Sequence, residues 1–375
     1  MGRCYICETE LLEKSPTHEG NKSIEHILLN SIGGKLKSRE LICKKCNSEM
    51  GHGADQELAH QLAFLATFLA VERDDKEPNK IIKGAKTANG EEYNIGLRGK
   101  PIPAKPTHKV TPGDKGTDLH FTARSEEELT KNLKGLEKKY PGFSVDEAKK
   151  HFKWTEKYLN EQVSIPITIG GEPAFQSIAK SAVNFYMLNN GEREQIKHLI
   201  PYLKGKETLD VVQHYHVSGA YEMDENEVLH LLHLVGNAED KILYCFVEFF
   251  SSYSFIVLLS ENYSGDSFTE TYSYDVIKGE KVDKTVQLDL NKAQLKEIFD
   301  NKTDYRGSVS EKGGRVIQIG NKIAWDLELE RITKNVWDKV FSTVPEGTII
   351  TEDMVQRLCI ELAEKYVEFI NRSNK

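Results

Sequence analysis

Two Cys-x-x-Cys pairs, Cys4/Cys7 and Cys43/Cys46, constrain this chain more than any other feature of it. Four thiolates in two short-spaced pairs complete a tetrahedral zinc shell, and a closed four-sulfur shell leaves no position open for water or substrate, so the expected Zn²⁺ is structural. The gap between the pairs is longer than in the commonest zinc ribbons, and the intervening chain must therefore fold back on itself. That returned loop carries Ser23-Ile24-Glu25-His26, and Asn47 follows the last cysteine at once. One Cys-x-x-Cys would also suit redox chemistry, but two copies with no βαβ pattern around them argue against a thioredoxin-like role. The opening MGRCYICETELLEK lacks an apolar core segment, so no signal peptide is expected. A reducing cytoplasm then leaves the thiols to metal rather than to disulfides.

Read in order, CYIC followed by SIEHILLNSIGGKLKSRELICKKCN resembles the zinc-containing branch of the HNH (His-Me finger, ββα-metal) endonucleases, over roughly residues 1 to 60. The resemblance implies a strand ending in an acid–histidine pair, with His26 as the general base that activates water and Glu25 as a ligand of a divalent metal. Asn47, at the head of the following helix, matches the family's second metal ligand. A sparse set of oxygen ligands suits Mg²⁺ or Mn²⁺, which keeps several waters and takes a phosphate oxygen as well. Gly33-Gly34 is expected to turn the backbone sharply, and Lys35, Lys37, Arg39, Lys44 and Lys45 are placed to meet phosphates.

The chain departs from the family pattern at three places. The middle Asn, which orients the base, falls near Ser38 or Arg39, so a backbone carbonyl or Asn30 is expected to take its role. The Pro common after the base is absent, with Leu29 nearest, and the last family position is Gly51, which leaves His52 or Asp55 as a third ligand. The competing interpretation is a zinc-stapled binding module in which Glu25 and His26 are incidental neighbours.

With 375 residues, 39% of them hydrophobic, the chain is long enough for more than one core. Its net charge of −8 argues against a general nucleic-acid coat, so contact with DNA must be local. One candidate is the stretch Lys76 to Lys115, where nine basic residues face four acids. It carries Pro101, Pro103, Pro106 and Pro112 and an Asn89-Gly90 turn signal, and reads as a hairpin followed by an extended connector. Arg98, Lys100 and Lys105 are its candidate phosphate contacts; a plain solvated linker is the alternative.

The expected fold class is α+β: a zinc-bound head with its trailing helix over 1–73, a basic segment over 74–120, and a larger mixed domain over 121–375. Leu58, Leu62, Leu65 and Leu69 mark a helix from Asp55, its N-cap, to Arg73. Capping boxes open helices at Ser125 and Ser144, and Pro173 starts another that runs to Asn189-Asn190-Gly191. LYCFVEFF, YSFIVLLS and Glu270 to Val282 should form an antiparallel meander, and VLHLLHLVG reads as a buried helix with His230 and His233 at its edges. Two C-terminal helices are expected near Trp325 to Phe341 and Glu352 to Ile370. His214 and His216 share a strand face without an evident third ligand, and Cys245 and Cys359 read as small core residues. No apolar run reaches the length of a membrane helix. The resemblance thus implies a metal-dependent DNA endonuclease of the restriction or antiviral-defence kind, homodimeric if it cuts both strands, whose larger domain takes an activating ligand or partner protein. An RNase toxin of the same superfamily differs only in substrate.

Overall fold

Two glycines shape the first hairpin of the chain. In the computed structural model, which describes residues 2–14, 20–113, 116–123, 126–139, 142–150, 158–159, 161–301 and 306–373, strand β1 (Glu25–His26) pairs antiparallel with β2 (Lys37–Ser38). Between them Gly33, at φ +87°, ends a 3-10 turn over Asn30–Ile32. Gly34 lies so close to Leu28 that a Cβ there would stand 2.1 Å from the Leu28 carbonyl oxygen. Helix α1 (Lys44–Met50) starts at Cys43, and one π turn, Gly51–Asp55, joins it to α2 (Gln56–Gln61) and α3 (Ala63–Phe68). Asp55 is therefore not an N-cap. The chain is already helical before it, Asp55 has helical angles (φ −65°, ψ −33°), and the helix stops at Phe68 rather than at Arg73.

The basic stretch is sheet rather than connector. Strands β3 (Ile82–Thr87) and β4 (Glu92–Ile95) are joined at Asn89-Gly90, where Gly90 takes φ +82° as the turn signal requires. β5 (Pro101–Pro103) forms an edge of the same sheet, where a proline's missing N–H removes no necessary ladder bond. β6 (Thr107–Gly113) and β7 (Gly116–Thr122) make a second hairpin. Helices α4 (Glu126–Lys139) and α5 (Val145–Lys150) follow; the Glu147 N–H donates to Ser144 Oγ at 3.4 Å, while Ser125 lies outside the described residues. β8 (Val163–Ser164) then returns to pair with β3.

Helix α6 (Glu172–Leu188) begins with Pro173 in its first turn and is followed by two short helices, α7 (Arg193–Ile196) and α8 (Ile200–Leu203). The major sheet comprises β9 (Val212–His214), β10 (Leu229–Asn237), β11 (Ile242–Phe249), β12 (Tyr253–Ser260), β13 (Phe268–Asp275) and β14 (Glu280–Val282). Its order is β14-β13-β10-β11-β12-β9, antiparallel throughout. VLHLLHLVG is thus β10, a central strand and not a helix. Both of its faces are buried, so the apolar run is nearly continuous and its histidines fall at a spacing that fits either structure. One face of the sheet packs Leu231, Val235, Tyr244, Phe246 and Ile256 against Leu288, Leu290 and Leu295; Phe255, on the other face, meets Phe175 of α6.

Helix α9 (Lys292–Asn301) precedes α10 (Arg306–Phe341), which starts well before Trp325, and α11 (Glu352–Ser373). Ile332, Val336 and Val340 of α10 pack with Phe369 of α11. Cys245 is buried as expected, but Cys359 is exposed on α11. The chain forms two compact units, 1–80 with 167–320 and 81–166 with 321–375. A linear division at residues 73 and 120 does not coincide with them, because the cysteine-bearing head packs with the later α6 and the major sheet. No helix among the described residues is long and apolar enough to cross a membrane.

Candidate functional site

The four cysteines converge as their spacing requires. Cys4 and Cys7 flank a tight turn, Cys43 precedes α1 and Cys46 lies in its first turn, and the four sulfurs are all within 4.8 Å of one another. Cys7 Sγ and Cys43 Sγ stand 3.8 Å apart, the sulfur separation of a tetrahedron with Zn–S bonds of ~2.3 Å. The donor set fits zinc in a second way. A hydrogen bond from Cys46 holds the Cys4 thiol down to about 4, and the same contact drives Cys46 upward, so four sulfurs this close cannot all ionise without a cation among them.

Successive residues of a strand point to opposite faces, and β1 divides the acid–histidine pair accordingly. His26 faces outward with its side chain 24% exposed, and its Nε2 lies 3.3 Å from Asp74 Oδ2. Two ammonium groups share that carboxylate: Lys35 Nζ at 3.0 Å and Lys37 Nζ at 2.6 Å. Lys37 and Lys35 hold the Asp74 carboxyl well below the usual carboxylate range. Asn30 fixes the loop that presents it, its Oδ1 accepting the Asp74 N–H at 2.8 Å and its Nδ2 donating to Asp75 at 2.9 Å. Asn30 thus reaches His26 only through Asp74.

Glu25 points the other way and is 2% exposed. Its Oε1 accepts from Lys180 Nζ at 2.7 Å and from Asn184 Nδ2 at 2.8 Å, both on α6. Lys180 also reaches Asp55 Oδ2 at 2.8 Å, while Asp55 Oδ1 accepts from Ser177 at 2.7 Å. Tyr5, inside the first cysteine turn, donates to Asn184 Oδ1 at 2.7 Å and ties the zinc loop into the same network. Burial opposes the charge on Lys180, but Glu25 and Asp55 outweigh it and raise its pKa.

This donor set does not fit the expected Mg²⁺ or Mn²⁺ site. The expected ligands Glu25 and Asp55 are brought together, but around an ammonium group. Asn47 Nδ2 donates to Ser23 Oγ at 2.9 Å and to the Ile24 carbonyl at 3.2 Å, bracing α1 against β1. The side chain of His52 lies outside the described residues. Among the described residues, the four cysteines alone bring three or more His, Cys, Asp or Glu ligand atoms within reach of one ion.

Of the expected phosphate contacts, Lys35, Lys37, Arg39, Lys44 and Lys45 lie on the head. Lys44 and Lys45 are exposed in the first turn of α1, and Arg39 pairs with Glu13 at 3.1 Å. Arg98, Lys100 and Lys105 belong to the other compact unit, where Lys105 approaches Glu92 at 3.8 Å. His214 lines a cavity of about 500 Å³ with Glu172, Phe175 and Asp210, and burial holds both His214 and His216 down to about 4.

Sequence reasoning missed Asp74, Lys180 and Asn184. Asp74 was one acid among many in ERDDKE. The other two carried a signal: a lone Lys and a lone Asn within SIAKSAVNFYML, a stretch otherwise apolar or small enough to be buried on all sides.

A four-cysteine cluster positioned to hold zinc, a two-stranded turn presenting a histidine, and a helix closing on the strand make a ββα head. Residues 4–63 match a family model described as HNH endonuclease, and the four cysteines fit the zinc-containing form of it. No curated protein and no solved structure matches the chain.

Proposed function

We propose that this protein is an HNH-type endonuclease that hydrolyses phosphodiester bonds of DNA, with His26 as its general base. The contact between His26 and Asp74 carries this proposal. A carboxylate at Nε2 favours the tautomer with its proton there, leaving Nδ1 unprotonated to accept a proton from water. Two lysines against one aspartate leave the surroundings net positive, which attracts a phosphate, and Lys35 and Lys37 can stabilise charge that develops on it. No step is assigned to a divalent ion, since Glu25 and Asp55 are committed elsewhere. A nuclease head packed into a larger body fits a cytoplasmic restriction or antiviral-defence effector, with the body taking an activating ligand or partner protein; that step is analogy from architecture. One head cuts one strand, so a double-strand break calls for a homodimer.

The second interpretation is a zinc-stapled nucleic-acid-binding module without catalysis, and the closure of Glu25 on Lys180 favours it. Incubating supercoiled plasmid and a structured RNA with wild type and with His26→Ala, with and without Mg²⁺ or Mn²⁺, separates the alternatives. Nicking of plasmid by wild type, reduced ~10²–10⁴-fold in His26→Ala at unchanged zinc content and binding, is the expected result. Equal nicking by both proteins removes His26 from the chemistry. Binding without cleavage supports the module, and cleavage of RNA alone supports an RNase.

A further inference from the structure

A divalent ion held by Glu25 and Asp55 would compete with Lys180 for the same two carboxylate oxygens. Glu25 Oε1 and Asp55 Oδ2 lie 2.7 and 2.8 Å from Lys180 Nζ. The remaining donors complete the arrangement: Asn184 on Glu25 Oε1, Ser177 on Asp55 Oδ1, and Tyr5 on Asn184 Oδ1. Glu25, Ser177, Lys180 and Asn184 are each at most 5% exposed. A buried ammonium so placed is paired and hydrogen-bonded, the condition under which an interior charge persists. We infer that Lys180 is the resident cation of this head: α6 supplies an ammonium where Glu25 and Asp55 would otherwise take a divalent metal.

The inference concerns the same head to which DNA hydrolysis is assigned above, on the face of β1 opposite His26. Its test reads metal occupancy rather than cleavage, so the two can fail separately. Zinc-loaded full-length protein is titrated with Mn²⁺, following bound ion by electron paramagnetic resonance and heat by calorimetry. Wild type and Glu25→Gln should give the same isotherm, with zinc content and circular dichroism confirming that both are folded. Lys180→Met frees two carboxylates and should gain a Mn²⁺ site, which the double variant Lys180→Met/Glu25→Gln loses by ~10-fold or more in affinity. Wild-type binding of one Mn²⁺ that weakens to that extent in Glu25→Gln overturns the inference, because the ion then displaces Lys180. A folded Lys180→Met that gains no site also overturns it. If Lys180→Met does not fold, the comparison of wild type with Glu25→Gln still decides.

Discussion

His230 should make this protein acid-labile well above the range in which carboxylates titrate. The ring is fully buried near the start of β10, with Nε2 2.8 Å from the Ile32 carbonyl oxygen and Nδ1 3.3 Å from the Phe250 N–H. Both contacts are satisfied by one neutral tautomer, in which Nε2–H donates and Nδ1 accepts. Protonation would set an Nδ1–H against the N–H of Phe250. Burial accordingly lowers the pKa from 6.5 to about 4. Because the folded pKa is depressed, the unfolded chain takes up the proton first as pH falls below about 6.5, so stability falls from there and levels off below about 4. For this one group the loss is on the order of 2 kcal/mol by pH 5 and 3 kcal/mol by pH 4. The assay is urea unfolding at pH 7 and pH 5 for wild type and for His230→Gln, whose amide nitrogen can still donate to Ile32. Zinc release and the other buried histidines affect both proteins, so the difference between them isolates His230. The variant should lose about 2 kcal/mol less than wild type between the two pH values. Equal losses would refute both the tautomer and the burial argument.

Asp74→Asn should lower plasmid nicking, by no more than the ~10²–10⁴-fold that a general base contributes, while leaving zinc content unchanged. Increased nicking would mean instead that Asp74 obstructs Lys35 and Lys37. Freshly purified protein should carry about one zinc per chain and lose it with structure in Cys43→Ser or under strong chelation, as thiolate sites contribute directly to folding; a folded, zinc-free head by metal analysis and circular dichroism contradicts the staple. Replacing Arg98, Lys100 and Lys105 with Gln should weaken DNA binding equally across sequences and flatten log affinity against log salt by up to ~0.9 per lost contact. An unchanged slope leaves that edge of the sheet without a phosphate role.

What could be read from the sequence depended on whether a local rule was sufficient. Cys4, Cys7, Cys43 and Cys46 were legible because the short spacing of each pair and tetrahedral chemistry leave few alternatives. Gly33-Gly34 was legible as a turn because one residue needs positive φ and the other close approach to Leu28. β10 was not legible. Two-sided burial removes the polar alternation that marks a strand, and its place between β11 and β13 follows from pairing across the sheet rather than from order along the chain. Asp55 misled for a related reason: an aspartate near an apolar helical run matches an N-cap, but here it lies within the helix, and its carboxylate partners are Ser177 and Lys180.

The same limit explains why the acid–histidine pair could be found while its roles could not be assigned. Adjacency in sequence placed Glu25 and His26 on one strand, and strand geometry then sent them to opposite environments. His26 met a carboxylate 48 residues on and stayed partly exposed, whereas Glu25 met an ammonium 155 residues on (180 − 25) and was buried. A resemblance covering about a sixth of the chain carries no information about either partner, since both lie outside the matched segment of residues 4–63. The chemistry open to such a head is therefore set as much by the body around it as by its motif, and α6, through Lys180 and Asn184, is the element of that body with the most direct hold on Glu25.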